Sequence, residues 1–195
     1  LAFNNSYAGS GVLDGSANLA GTKKMDGPWE ATDKDLSGFR FTITGGDEAT
    51  NAAITAGTVV LPQSVTATSD ADGNFNFGDI TFNEKGTYKF TVSEVVPAEG
   101  DKIPGVAYNA ETVTIIVNVT DNDDGTLTAA LAEGSQELIF TNTYATTQDA
   151  TFTPSVVKEV KGLNAKEIFT FKLSAADEAT KAAIDSGTLT GIGTT

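Results

Sequence analysis

The stretch Gly86-Thr87-Tyr88-Lys89-Phe90-Thr91-Val92-Ser93-Glu94-Val95 alternates apolar with polar residues, the pattern of a β-strand with one face in a core. Tyr88, Phe90 and Val92 share one face; Lys89, Thr91 and Ser93 share the other. Period two carries Glu94 onto the apolar face. A carboxylate there is costly unless it is neutral, paired or hydrogen-bonded. Either Glu94 frays into water at the strand end, or the core holds partners for it.

The same parity test finds candidates. In Leu138-Ile139-Phe140-Thr141-Asn142-Thr143-Tyr144, the face with Leu138, Phe140 and Tyr144 also carries Asn142. In Leu19-Ala20-Gly21-Thr22-Lys23-Lys24-Met25, Lys23 falls with Leu19 and Met25, and Lys24 points away. Three strands thus each present one polar residue to the core: a lysine, a glutamate and an asparagine.

The chain has 195 residues, of which 39% are hydrophobic, enough for a real core in one or two domains. Its net charge of −14 argues against a nucleic-acid surface and against docking on anionic lipid. Its expected meaning is solubility and self-repulsion outside a cell. No apolar run reaches membrane-span length, and no signal peptide opens the sequence. Beginning at Leu1, the chain reads as a mature or excised piece. It has no Cys and no His, which excludes disulfides, Ser-His and Cys-His nucleophile pairs and His-ligated metals. The acidic turns Asp70-Ala71-Asp72-Gly73 and Asp121-Asn122-Asp123-Asp124-Gly125 lack calcium-loop spacing and read as hairpin turns. No cofactor or metal is expected.

The sequence repeats itself. Phe3-Asn4-Asn5-Ser6-Tyr7 matches Phe140-Thr141-Asn142-Thr143-Tyr144, and Lys23-Lys24-Met25-Asp26-Gly27 matches Lys158-Glu159-Val160-Lys161-Gly162. Phe39-Arg40-Phe41 matches Phe169-Thr170-Phe171, and Glu48-Ala49-Thr50-Asn51-Ala52-Ala53-Ile54 matches Glu178-Ala179-Thr180-Lys181-Ala182-Ala183-Ile184. The spacing between matches shortens past residues 28–37, which are therefore an insert in the first copy. Residues 1–8 read as the last strand of a preceding copy, 9–146 as one whole copy, and 147–195 as the start of another. The inward lysine is kept as Lys158 and Asn5 recurs between Phe3 and Tyr7, while the outward Lys24 becomes Glu159. Short strands separated by turn signals predict an all-β, antiparallel β-sandwich. They fall at residues 39–44, 59–65, 75–82, 86–94, 113–119, 126–131 and 138–144, with a short helix after Asp47 ending at Gly57.

A lysine, an acid and an amide in a dry core have two readings. One is a buried ion pair of Lys23 with Glu94, with Asn142 hydrogen-bonded nearby. The other is reactive. Desolvation makes Lys23 a neutral nucleophile. Glu94 hydrogen-bonds and polarises the Asn142 carbonyl, the amine attacks it, and Glu94 passes a proton to the departing nitrogen. Ammonia leaves and an amide joins Lys23 to Asn142. Folding supplies the proximity, worth up to about 7–11 kcal/mol in oriented systems. The event happens once per domain, so it is self-modification without turnover.

At these residues the sequence resembles the isopeptide-linkage domains of Gram-positive pilins and tandem-repeat surface adhesins, of the streptococcal T-antigen pilin type. The resemblance is carried by Phe152-Thr153-Pro154-Ser155-Val156-Val157-Lys158, Asp72-Gly73-Asn74-Phe75 with Gly86-Thr87-Tyr88, Val92-Ser93-Glu94, Asp124-Gly125-Thr126-Leu127, and Phe140-Thr141-Asn142-Thr143-Tyr144. It implies an Ig-like pilin β-sandwich in tandem array, with an isopeptide bond between Lys23 and Asn142 and Glu94 as its catalytic acid. The strand Leu19-Ala20-Gly21-Thr22-Lys23 and the Trp29-bearing insert depart from the usual pattern. Lys158 lacks its own Glu and Asn and is expected to be unbonded unless another chain supplies them.

The function expected is a stalk or fibre-shaft repeat of an extracellular, cell-surface protein or pilus, partnered by neighbouring copies. With no LPxTG signal present, wall anchoring is expected to lie outside the sequence. An alternative is an adhesin module recognising a host protein or glycan through the insert and residues 97–106. A glycosidase would need paired carboxylates, and only one core-facing acid is evident.

Overall fold

The computed structural model describes residues 9–32, 34–146, 151–162 and 169–191. The chain divides into two compact units, residues 1–150 and 151–195. All strands among the described residues lie in the first unit. They are β1 (Gly11–Leu13), β2 (Ala20–Asp26), β3 (Arg40–Gly45), β4 (Val59–Val60), β5 (Thr66–Thr68), β6 (Asn74–Asn76), β7 (Ile80–Phe82), β8 (Gly86–Glu94), β9 (Val106–Ala107), β10 (Thr112–Asp121), β11 (Leu127–Leu131) and β12 (Leu138–Tyr144). Helices α1 (Gly15–Asn18) and α2 (Glu48–Ala56) sit between strands.

Two sheets make the sandwich. One has the order β11-β10-β8-β3-β5 and the other β6-β2-β12-β9; a small third sheet, β1-β7-β4, lies beside them. The class is the all-β sandwich expected. One pairing differs: β2 and β12 run parallel, while every other pairing is antiparallel. Parallel neighbours need a long crossover, and here nearly the whole domain is that crossover. The facing sheets are joined by aromatic rings. Phe41 of β3 stacks on Phe75 of β6 at 3.8 Å and leans on Phe140 of β12 at 5.0 Å.

Along β8 the alternation is as expected: Tyr88, Phe90, Val92 and Glu94 are buried, and Lys89 is exposed. Helix α2 is capped by the Asp47 side chain, which accepts from the Thr50 N–H, and ends at Gly57 with φ of 76°. The strand expected over 59–65 is confined to Val59–Val60, before Pro62, whose ring leaves no N–H for a ladder. The turn at 70–74 is tight, with Asp70 Oδ1 accepting from the N–H groups of Asp72 and Asn74. It is not a hairpin, because its flanking strands β5 and β6 belong to different sheets, so the turn crosses the sandwich. The acidic turn at 121–125 does form a hairpin, joining β10 to β11.

In the second unit, α3 (Glu178–Asp185) repeats the cap of α2, the Asp177 side chain accepting from the Thr180 N–H. Residues 151–160 form no strand, and Phe152 and Val157 are exposed.

Candidate functional site

Lys23 sits in the middle of β2, between β6 and β12, and its side chain is fully buried. Its backbone N–H is held by the Gly73 carbonyl of the crossing turn, at 2.7 Å. Its register partner on β12 is Phe140; Asn142 is one inward position further along, opposite Met25. Lys23 and Asn142 therefore point into the core from adjacent parallel strands. Glu94 comes from the other sheet, at the end of β8, opposite Phe41 of β3. Relative exposures of Lys23, Glu94 and Asn142 are 0%, 6% and 1%, so water is excluded from all three.

Glu94 joins the other two. Its Oε2 accepts from Lys23 Nζ at 2.9 Å, and its Oε1 accepts from Asn142 Nδ2 at 2.7 Å. Nζ also lies 3.5 Å from the Phe140 carbonyl oxygen and 4.9 Å from the centroid of the Phe39 ring. Burial pushes the Lys23 amine below its ordinary value, and the contact with Glu94 opposes that shift. Desolvation is the larger influence, which favours the unprotonated amine a nucleophile requires.

The remaining polar atom of the set is Asn142 Oδ1. It accepts from the backbone N–H of Asn109 at 2.8 Å. A backbone N–H can only donate, so the carbonyl oxygen must face Asn109 and the amide nitrogen must face Glu94. This differs from the expectation that Glu94 bonds the carbonyl. The acid instead lies against the nitrogen that would leave. Sequence reasoning missed Asn109, because a backbone donor leaves no mark in the pattern of side chains.

The three residues singled out by parity are thus brought together. Lys158, in the second unit, lies on exposed chain, with Nζ 5.3 Å from the Phe169 ring centroid. Asn5 lies outside the described residues. Lys24, the other lysine of the pair on β2, is exposed. Trp29 of the insert is buried, its ring edge-on to Tyr144 at 5.3 Å. Among the described residues, no group of three or more His, Cys, Asp or Glu could hold a metal, and no helix is long and apolar enough to cross a membrane.

The major pilin of Streptococcus pyogenes is similar at 17% identity, with a TM-score of 0.42, over 65% of this chain and 50% of that one. The T-13 major pilin of Streptococcus pyogenes is similar at 22% identity, with a TM-score of 0.40, over 68% and 53%. The chain spans about half the length of these two pilins. No curated protein matches it. The family model described as FctA, a Spy0128-like isopeptide containing domain, matches residues 19–145, a span that opens just before Lys23 and closes just past Asn142. With more than half of its length matched by that model, the chain belongs to the family of Spy0128-like isopeptide-containing domains.

Proposed function

We propose that residues 9–146 are a shaft domain of a bacterial surface fibre or pilus, made inextensible by an isopeptide bond that Lys23 and Asn142 form under Glu94. The observation that carries this reading is the buried carboxylate of Glu94 bridging the lysine amine and the asparagine amide from opposite sides. Nζ gives a proton to Glu94 Oε2, and the freed amine attacks Cγ of Asn142. As the tetrahedral carbon collapses, Glu94 hands the proton it holds to the departing nitrogen and then takes a second proton from Nζ. The Cγ–Nδ2 bond breaks and ammonia leaves. Nζ ends with one of its three protons; one of the others departs in ammonia and one remains on Glu94. The sequence matches at both ends and the identical caps of α2 and α3 support a tandem array, with 1–8 and 147–195 as parts of neighbouring copies. Such copies, stacked end to end on a cell surface, are the expected partners, and the chain does not turn over a substrate.

The test is the intact mass of the purified chain under denaturing conditions. A deficit of one ammonia, absent from Lys23→Ala and Glu94→Ala, is expected. The full, unreduced mass in folded parent protein overturns the crosslink.

One observation favours an added adhesive role. A cleft of about 510 Å³ is lined by Ser37 from the end of the insert and by Pro97, Asp101 and Ile103 from the loop after β8. The last residue of the insert and the loop after β8 therefore share one concavity. Glycan and matrix-protein arrays test it: selective binding that disappears on Arg40→Glu, a cleft residue, is the positive result.

A further inference from the structure

We infer that the backbone N–H of Asn109 is the oxyanion donor of the crosslinking reaction, polarising the Asn142 carbonyl and holding the charge that develops on its oxygen. The inference rests on the crosslink reading above and deepens it. An amide is a poor electrophile, and attack by an amine puts negative charge on Oδ1. In a site without water something must meet that charge. Glu94 has two oxygens, one against Nζ and one against Nδ2. Neither remains for the carbonyl. The group that does lie against Oδ1 is the Asn109 N–H, at 2.8 Å.

The donor is fixed before the reaction begins. Strand β9 pairs with the end of β12 in antiparallel register, Ala107 opposite Thr143 and Val106 opposite Tyr144. That ladder stops at Ala107, and the N–H of Asn109 is turned to the Asn142 side chain instead of the β12 backbone. Its own side chain locks the turn: Oδ1 of Asn109 accepts from the Glu111 N–H at 2.9 Å, and Nδ2 donates to Glu111 Oε2 at 3.2 Å. On the other side the Tyr108 hydroxyl accepts from the Ile103 N–H at 3.3 Å, and its ring packs on Phe39, the ring that borders Nζ. The donor, the nucleophile's aromatic wall and the acceptor strand are thus held as one piece. An asparagine amide turned the other way would set its own N–H groups against a backbone donor. The Asn109 N–H therefore also selects the orientation in which the amide nitrogen faces the acid.

The experiment replaces the Asn109 amide N–H by an ester oxygen, with the same replacement at the neighbouring Ala110 amide as the control. Each chain is refolded from denaturant, folding is followed by circular dichroism, and ammonia loss is timed by intact mass. Removal of one oxyanion donor is expected to slow bond formation by about 10²–10³-fold, while the Ala110 ester stays within about tenfold of the parent. An Asn109 ester chain that folds and reacts at the parental rate overturns the assignment, as does an Ala110 ester chain slowed as much as the Asn109 ester. A parent that folds and loses no ammonia defeats the crosslink itself, an outcome distinct from either. Should the ester chain fail to fold, the parent still decides. A through-hydrogen-bond coupling between Asn109 nitrogen and Asn142 Cγ supports the assignment, and its absence overturns it.

Discussion

Lys23 and Glu94 hold each other in a place where neither is stable alone. Burial disfavours the ammonium, and the carboxylate 2.9 Å away restores part of what desolvation removes. Removing the acid by Glu94→Ala leaves an amine in an apolar core without its partner. Measured against an uncrosslinked chain such as Asn142→Ala, the expected cost is about 3–5 kcal/mol, read as a lower urea midpoint, and the ammonia deficit is lost as well. The lysine also sets a pH dependence in any chain that cannot form the bond, such as Asn142→Ala. Its folded-state value lies below the ordinary 10.5, so between the two the unfolded chain binds more protons. Stability should therefore rise with pH through that window and level off above 10.5. Urea midpoints of Asn142→Ala between about pH 7 and 10 measure this slope, and adding Lys23→Met should remove it.

The elements that matter are the parallel pair and the turn that steadies it. Lys23 is placed by two backbones at once: β12 on one side, and the 70–74 turn, whose Gly73 carbonyl accepts its N–H, on the other. Gly73 has φ of 86°, and a Cβ there would press on the Lys23 carbonyl oxygen. Gly73→Ala is expected to destabilise the domain by about 1–3 kcal/mol and to slow ammonia loss, because strain enters at the nucleophile's own backbone. Thermal melts and timed intact mass would register the two effects separately. Gly21, also on β2, has Leu138 of β12 at 2.7 Å from where its Cβ would stand.

At the scale of the molecule, the proposed bond closes a loop of roughly 120 residues, worth about 5 kcal/mol of chain entropy in the unfolded state. Replacing Lys23 by Met, of similar length, should forfeit at least that much, because it also leaves Glu94 without its partner, visible as a lower denaturation midpoint than the parent's. The consequence under force is sharper. Lys23 lies near the beginning of the domain and Asn142 near its end, on neighbouring strands. With the proposed bond in place, load entering at one terminus would cross from β2 to β12 directly. Single-molecule pulling on the parent should show no extension from residues 24–141, whereas Lys23→Met should release them in one event. A parent that unravels to full contour length would remove the basis for a shaft role.

The sequence alone determined the local facts. Alternation put Glu94, Lys23 and Asn142 on inward faces, and Asp-first, Gly-last punctuation located α2, because these depend on a residue's near neighbours and the strand period. Its internal matches also located Lys158. Only the tertiary structure decided that β2 and β12 run parallel, that the 70–74 turn crosses between sheets, and that the Asn142 carbonyl answers to the N–H of Asn109. Strand direction depends on the path of the whole intervening chain. A backbone donor is common to almost every residue, so no pattern of side chains can single one out. The identity of the three inward polar residues is thus written in the order of residues, and the geometry around them in the way two sheets close on each other.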